Sequence, residues 1–212
     1  FITTQRAPDL LLKPIVPSQE PINAQTASSV VSLGMWETNS YIEELAFSPT
    51  STLLGTANNR DTISFSPFDF YGSLLAVDSG NLLHYLTGQS QWVNSVAFSP
   101  DGQLLATGSD DATVLLWQVS SGELGRKIDT ASSGITNVDF SPNNQLLAIA
   151  SWDGETGIWQ LSDGHLLRSF TGHEDSVRDV EFSPQGDLLA TASDDNKVRI
   201  VFGTCFHRWG LG

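Results

Sequence analysis

The chain has 212 residues, 40% of them hydrophobic and 16% charged, which is apolar material for one ordinary globular domain and not comfortably for two. Ten Lys and Arg against 24 Asp and Glu leave a net charge of −14, which repels a phosphate backbone and an anionic bilayer alike, so neither nucleic acid nor membrane is an expected partner. Cys205 is the single cysteine, which rules out an intrachain disulfide and a thiolate metal cluster.

From the start of the chain, residues 1–30 carry Pro8, Pro14, Pro17 and Pro21 among Ser, Thr, Gln and Asn, a composition that favours extended, unpaired backbone and reads as a linker or arm. No run approaches the ~20 apolar residues that a spanning helix needs. The chain opens at Phe1 rather than at Met, as expected of a fragment or of a chain behind a lost leader. Compartment is not written in the residues: a cytoplasmic and an exported chain both fit, and an integral membrane protein does not.

Beyond the arm the sequence repeats itself. VAFSPDGQLLATGSDDATVLLW, from Val96, returns at Val138 as VDFSPNNQLLAIASWDGETGIW and at Val180 as VEFSPQGDLLATASDDNKVRIV, with Phe98, Phe140 and Phe182 spaced 42 apart. An earlier copy starts at Leu45, with Phe47 in the same role but 51 residues before Phe98, so the first unit holds nine extra residues, placed around Phe65 to Tyr71.

Within one unit the chemistry is that of four short strands. Val93 to Ser99 ends at Pro100-Asp101-Gly102, where Pro presets one turn dihedral and Gly tolerates a positive φ. Gln103 to Ser109 follows, then a polar break at Asp110-Asp111, then Thr113 to Val119, rich in β-branched and aromatic side chains, and a weaker strand from Glu123 to Asp129. The runs LLATGS, LLAIAS and LLATAS do not alternate strictly, as expected of strands covered on both faces. Four-stranded sheets packed face to face at ~40 to 45 residues per unit are propeller blades. The expected fold is therefore all-β, about four units near 41–87, 92–129, 134–171 and 176–203 within a domain over 31–203, with 204–212 an irregular tail.

These residues resemble the WD-repeat family, in a bacterial-type form, over about residues 31–203. The likeness rests on Gly172-His173 ahead of Val177, the FSP turn, Ser193 with Asp195, and Trp117 or Trp159 on the third strand. It implies a β-propeller and, within each blade, a hydrogen-bonded His, Ser, Asp and Trp tetrad. The blade network it assigns here comprises His173, Ser109, Asp111, Trp117, Ser151, Asp153, Trp159, Ser193 and Asp195. No unit has all four members. Val201 stands at the Trp position of the last, Gln89 follows Gly88 in the second, the third reads Ala131-Ser132-Ser133, and the first has Asn58 and Arg60 for Ser and Asp. A partly satisfied polar network contributes less, so each blade is expected to be less rigid.

Chemistry is poorly supported. His84, His165, His173 and His207 lack ligand spacing, and the first two fall on expected fourth strands in packing or surface roles. The pairs Asp110-Asp111 and Asp194-Asp195 lack the D-x-[DN]-x-[DN]-G loop of a calcium site, and no phosphate-loop, nucleophile-elbow or zincin motif occurs. No cofactor and no metal is expected, and the chain is read as non-enzymatic. Trp152 occupies the place of Asp110 and Asp194 in its unit, either as an interface anchor or with its ring laid over the next blade; Trp92, matching Tyr41 and Ser176, carries the same ambiguity.

The leading expectation is a scaffold whose loops on one rim bind a protein or peptide, with Tyr41, Trp92, Asp110, Trp152, Asp175, Arg178 and Asp194 sharing that surface because the second-to-third strand turns and the entry segments lie at one end of a blade. The rival is an enzyme or small-ligand binder using the central channel, for which the innermost strands offer Asp139, Asp179 and Glu181. Four units either close into a ring, with Val30 to Trp36 completing the last sheet, or leave an open arc whose apolar flanks favour self-association. After Ile200 the repeat logic stops, as a truncation or shifted reading frame would leave it.

Overall fold

The computed structural model describes residues 40–59, 70–130 and 133–202. They form four antiparallel sheets in chain order. The first holds β1 (Tyr41–Phe47), β2 (Leu53–Asn59), β3 (Phe70–Ala76) and β4 (Leu82–Thr87). The second holds β5 (Val93–Phe98), β6 (Leu104–Ser109), β7 (Thr113–Gln118) and β8 (Leu124–Asp129). The third holds β9 (Ile135–Phe140), β10 (Leu146–Ser151), β11 (Thr156–Gln160) and β12 (Leu166–Phe170). The fourth holds β13 (Val177–Phe182), β14 (Leu188–Ser193) and β15 (Val198–Phe202). Among the described residues there is no helix at all, hence none long and apolar enough to cross a membrane.

The FSP segment makes the first hairpin of every sheet by one device. The hydroxyls of Ser48, Ser99, Ser141 and Ser183 accept the backbone N–H of Leu53, Leu104, Leu146 and Leu188 at 2.9–3.1 Å, so the turn is closed by the side chain that precedes the proline. The third residue after each of these serines, Ser51, Gly102, Asn144 or Gly186, has φ between 56° and 74°. Gly and Asn suit that left-handed geometry and Ser51 adopts it at some cost.

Packing occurs between sheets, and the second and third sheets use opposite faces for their two neighbours. Ala57 and Leu86 of the first meet Val93, Val96, Leu105 and Trp117 of the second. Ala106, Val114 and Leu116 of the second meet Ile135, Val138, Phe140 and Leu147 of the third. Ala148, Ala150 and Ile158 of the third meet Val177, Val180, Phe182 and Leu189 of the fourth. The small residues in the LLATGS-type runs are what let the sheets approach: a methyl on Gly55 would lie 3.1 Å from Val96 and 3.3 Å from Phe98.

A second set of bonds joins the innermost strands. Glu44 Oε2 accepts the N–H of Val96 at 2.6 Å, Ser95 Oγ that of Val138 at 3.1 Å, and Asn137 Oδ1 that of Val180 at 3.4 Å. Three equivalent positions, three residues before each FSP phenylalanine, thus hand an oxygen to the next sheet.

Several sequence expectations need adjustment. Phe70 and Tyr71 are not inserted residues but the start of β3, paired with Asn59 and Asn58. The remainder of the insertion, the proposed Val30 to Trp36 strand, the arm and the tail lie outside the described residues. Among the described residues the fourth sheet has three strands, and no hydrogen-bonded strand pair ties it back to the first. His84 serves blade packing: it lies over the β7–β8 turn of the next sheet, where a Cβ on Gly122 would come within 2.4 Å of its ring.

Candidate partner-binding rim

The second-to-third strand turn and the entry segment are tied together at one end of three sheets. The N–H groups of Asp110, Trp152 and Asp194 donate to the carbonyls of Trp92, Gly134 and Ser176 at 2.8–3.0 Å. Ala112, Gly154 and Asn196, at equivalent places in those turns, all have positive φ, which turns the chain back into the third strand.

Four of the rim residues form one connected group. Trp152 Nε1 donates to Asp110 Oδ1 of the preceding sheet at 2.7 Å, the same oxygen that accepts from Asn94 Nδ2 at 2.6 Å. The guanidinium of Arg178, from the following sheet, lies 4.4 Å from the centre of the Trp152 ring, and its Nε donates to Asp194 Oδ2 at 2.7 Å. The chain of contacts Asp110, Trp152, Arg178, Asp194 therefore runs across three sheets. Trp152 is 36% exposed, so its ring is at once a link between blades and a surface. Gly134 is required beneath it, because a Cβ there would come within 2.8 Å of both the Trp152 ring and the Asp110 backbone.

The other rim residues stand apart from this group. Trp92 is 50% exposed at the entry to β5, and Tyr41 is exposed at the start of β1. Asp175 turns its carboxylate onto the N–H of Ser176 at 2.8 Å, while its carbonyl accepts from Ser193 Oγ at 3.0 Å.

The blade network differs from the tetrad expected. In the second sheet Trp117 Nε1 donates to Thr107 Oγ1 at 2.9 Å, not to Ser109, because Trp117 pairs opposite Leu105 and its ring crosses the adjacent pleat. Ser109 instead donates to the Gln91 carbonyl at 3.1 Å, and Asp111 accepts from Ser90 and Thr113. Gln89, in the histidine's place, donates to the Thr107 carbonyl at 2.9 Å. In the fourth sheet His173 Nδ1 bonds Asp195 Oδ2 at 3.0 Å and Nε2 bonds Thr191 Oγ1 at 2.9 Å, so Thr191 rather than Ser193 supplies the hydroxyl. Burial alone would raise the Asp195 pKa, but the His173 bond, the N–H groups of Glu174 and Lys197 and the field of His173 hold it at about 2. In the third sheet Ser151 donates to Asp153 Oδ1 at 2.5 Å, and Ile149 stands where the threonine would be. A cavity of about 40 Å³ opens beside Ile149, Glu155, Gly157 and Trp159, room for about one water.

Sequence reasoning missed Thr107, Thr191 and Asn94. The threonines had a visible signal, a β-branched hydroxyl residue at one fixed place in LLATGS and LLATAS; Asn94 had none.

The innermost strands offer carboxylates already in use. Glu44 accepts from Val96 and from Asn137 Nδ2 at 3.3 Å, and Asp139 Oδ2 accepts the N–H of Phe182 at 2.7 Å. Burial raises the pKa of both, against the pull of these backbone bonds. Among the described residues no group of His, Cys, Asp and Glu could hold a metal ion.

The family model described as "WD domain, G-beta repeat" matches residues 80–118, 122–160 and 164–201, more than half of the chain. Among curated proteins, the chain is 36% identical over 70 residues to apoptotic protease-activating factor 1 of Danio rerio, covering 33% of this chain and 5% of that protein. It is 31% identical over 78 residues to the human WD repeat and SOCS box-containing protein 1, covering 37% of this chain and 17% of that one. It is 35% identical over 112 residues to nuclear distribution protein PAC1 of Arthroderma benhamiae, covering 45% of this chain and 23% of that one. The chain thus spans less than a quarter of each of these three relatives.

Proposed function

The chain belongs to the WD-repeat family, and on that premise we propose that it is a non-catalytic interaction module that docks a protein segment bearing basic residues on the rim around Trp152. The observation that carries this reading is the stack of Arg178 on a ring still 36% exposed, flanked by Asp110 and Asp194. Each carboxylate uses one oxygen inside the rim group, which leaves Oδ2 of Asp110 and Oδ1 of Asp194 as acceptors on an exposed aromatic surface. An incoming Lys or Arg would find an acceptor and an aromatic edge together, with Trp92 as a second apolar contact on the same rim. Four side chains already bonded to one another are also preorganised, which lowers the entropy lost on binding.

A catalytic or small-ligand role for the channel has less support. Glu44 and Asp139 bond backbone N–H groups of the neighbouring sheet, so their free lone pairs are few.

The test is an array of immobilised peptides graded in Lys and Arg content, probed with the unmodified chain and with Trp152→Ala. Binding should rise with basic content and fall by ~2 kcal/mol or more for the variant, as for an anchoring aromatic. Equal binding of acidic and basic peptides, or an unaltered pattern for a folded Trp152→Ala, rejects this rim as the binding face.

A further inference from the structure

The two outward faces of the sheet array are the two halves of a junction that the molecule already builds three times. At each internal junction the earlier sheet presents a third-strand aliphatic residue, Leu74, Leu116 or Ile158, each at most 2% exposed. The later sheet presents a valine two residues before its FSP phenylalanine, Val96, Val138 or Val180, each at most 3% exposed. The earlier sheet also supplies the oxygen, from Glu44, Ser95 or Asn137, for the N–H of that valine.

The fourth sheet repeats the first half with nothing against it among the described residues. Ile200 occupies the position of Leu116 and Ile158 but is 57% exposed, and Val198, matching the fully buried Val114, is 70% exposed. Asp179 occupies the position of Glu44, Ser95 and Asn137, and Glu181 that of Asp139; both are exposed and accept no hydrogen bond among the described residues. The first sheet repeats the second half. Leu45 and Phe47, in the places of Val96 and Phe98, are 56% and 62% exposed. Leu45 pairs with Thr56 as Val96 pairs with Thr107, which puts its N–H on the same free edge of the innermost strand.

We propose that the Leu45 and Phe47 face of one copy seats on the Val198 and Ile200 face of a second copy, head to tail. The faces match in register as well as in apolarity: Asp179 then receives the N–H of Leu45, and Glu181 that of Phe47, as Asn137 and Asp139 do inside the chain. Two different patches meet, so the contact is heterologous, and each copy keeps one donor face and one acceptor face. This proposal is independent of the rim, whose residues it does not use.

Sedimentation of the full 212-residue chain tests it, with Phe47→Glu and Ile200→Glu as variants. Both positions are exposed in the single chain, so circular dichroism should report intact β-structure for each, and Val198→Ser provides a milder third variant. The unmodified chain should sediment above its 22.9 kDa monomer mass at micromolar concentration. Each Glu variant alone should raise the dissociation constant on the order of a hundredfold, because a carboxylate is buried without a partner. A mixture of the two Glu variants should recover a one-to-one pair, since one undamaged face of each remains and the two are complementary. Monomer throughout up to roughly 100 µM, a concentration that reveals all but very weak contacts, overturns the proposal, whether the faces are bare or covered by residues 1–39. Self-association unaffected by Ile200→Glu, or failure of the mixture to recover a pair, overturns the head-to-tail arrangement in favour of like faces meeting.

Discussion

Trp152 donates its indole N–H to the carboxylate of Asp110, 42 residues earlier and one sheet away, while its ring supports Arg178 of the sheet that follows. The side chain at the centre of the proposed binding surface is thus also a tie across three blades, and the two roles can be separated chemically. Trp152→Phe keeps an aromatic ring beside Arg178 but removes the N–H together with the fused five-membered ring, so Asp110 loses one donor while Asn94 remains. The variant should be less stable by about 1 kcal/mol in urea titration, the usual worth of one hydrogen bond, and should retain most peptide binding. A Phe variant that loses binding as fully as Trp152→Ala would show that recognition needs the whole indole and not an aromatic ring alone.

Asp195 predicts acid behaviour of the fourth sheet. Its folded pKa of about 2 lies below the ordinary Asp value of 3.8, so its contribution is fully present above the ordinary value and is lost as pH falls through the folded one. The urea midpoint should therefore drop between about pH 4 and pH 2, and Asp195→Asn, with no carboxylate to protonate, should show a shallower drop over that window. Identical pH profiles for the two proteins would mean that the His173 and Asp195 pair does not couple to folding.

Glu44 acts with the opposite sign. Burial raises its pKa above 4.5, so the folded chain holds a proton that the unfolded chain releases. Its contribution is fully present below that ordinary value and is lost as pH rises through the folded pKa. Relative to Glu44→Gln, the unmodified protein should lose stability as the pH is raised from about 4.5 towards neutrality, measured by urea midpoints at intervals of half a pH unit. A variant whose stability tracks the unmodified protein across that range would show the carboxylate to be better solvated than its position indicates.

The parts of this fold that depend on neighbours in sequence were legible, and those that depend on the facing sheet were not. The FSP turn, the small residues of the second strands and the third-strand tryptophans recur at fixed offsets, so the strand pattern followed from local chemistry. The acceptor of an indole bond is set by which pleat the ring crosses, and that needs the register of Trp117 against Leu105. For the same reason Ser109 and Ser193, adjacent to the aspartates in sequence, looked like network members of a kind that Thr107 and Thr191 supply. On the rim, the gathering of Asp110, Trp152, Arg178 and Asp194 followed from strand direction alone, whereas the bond from Asn94 to Asp110, within the second sheet, depended on the register shift between Val93 and Ser95.

Thr107 offers the sharpest test of that revised network. It is fully buried, its Oγ1 accepts from Trp117 Nε1, and the indole itself is buried, so water cannot substitute for the hydroxyl. Thr107→Val keeps the shape and removes the acceptor, which leaves an indole N–H unsatisfied in a dry site. The expected loss is about 1–3 kcal/mol, the cost of stranding a buried donor. The third sheet supplies the control: Ile149 already lacks a hydroxyl, and Trp159 is only partly buried, so Ile149→Val should cost about 0.5–1.5 kcal/mol, from lost packing alone. Indole near-ultraviolet circular dichroism should change for Thr107→Val and not for Ile149→Val. Should Thr107→Val prove as stable as the unmodified chain, the bond between Thr107 and Trp117 would be geometric coincidence, and Ser109 would again be the residue to examine.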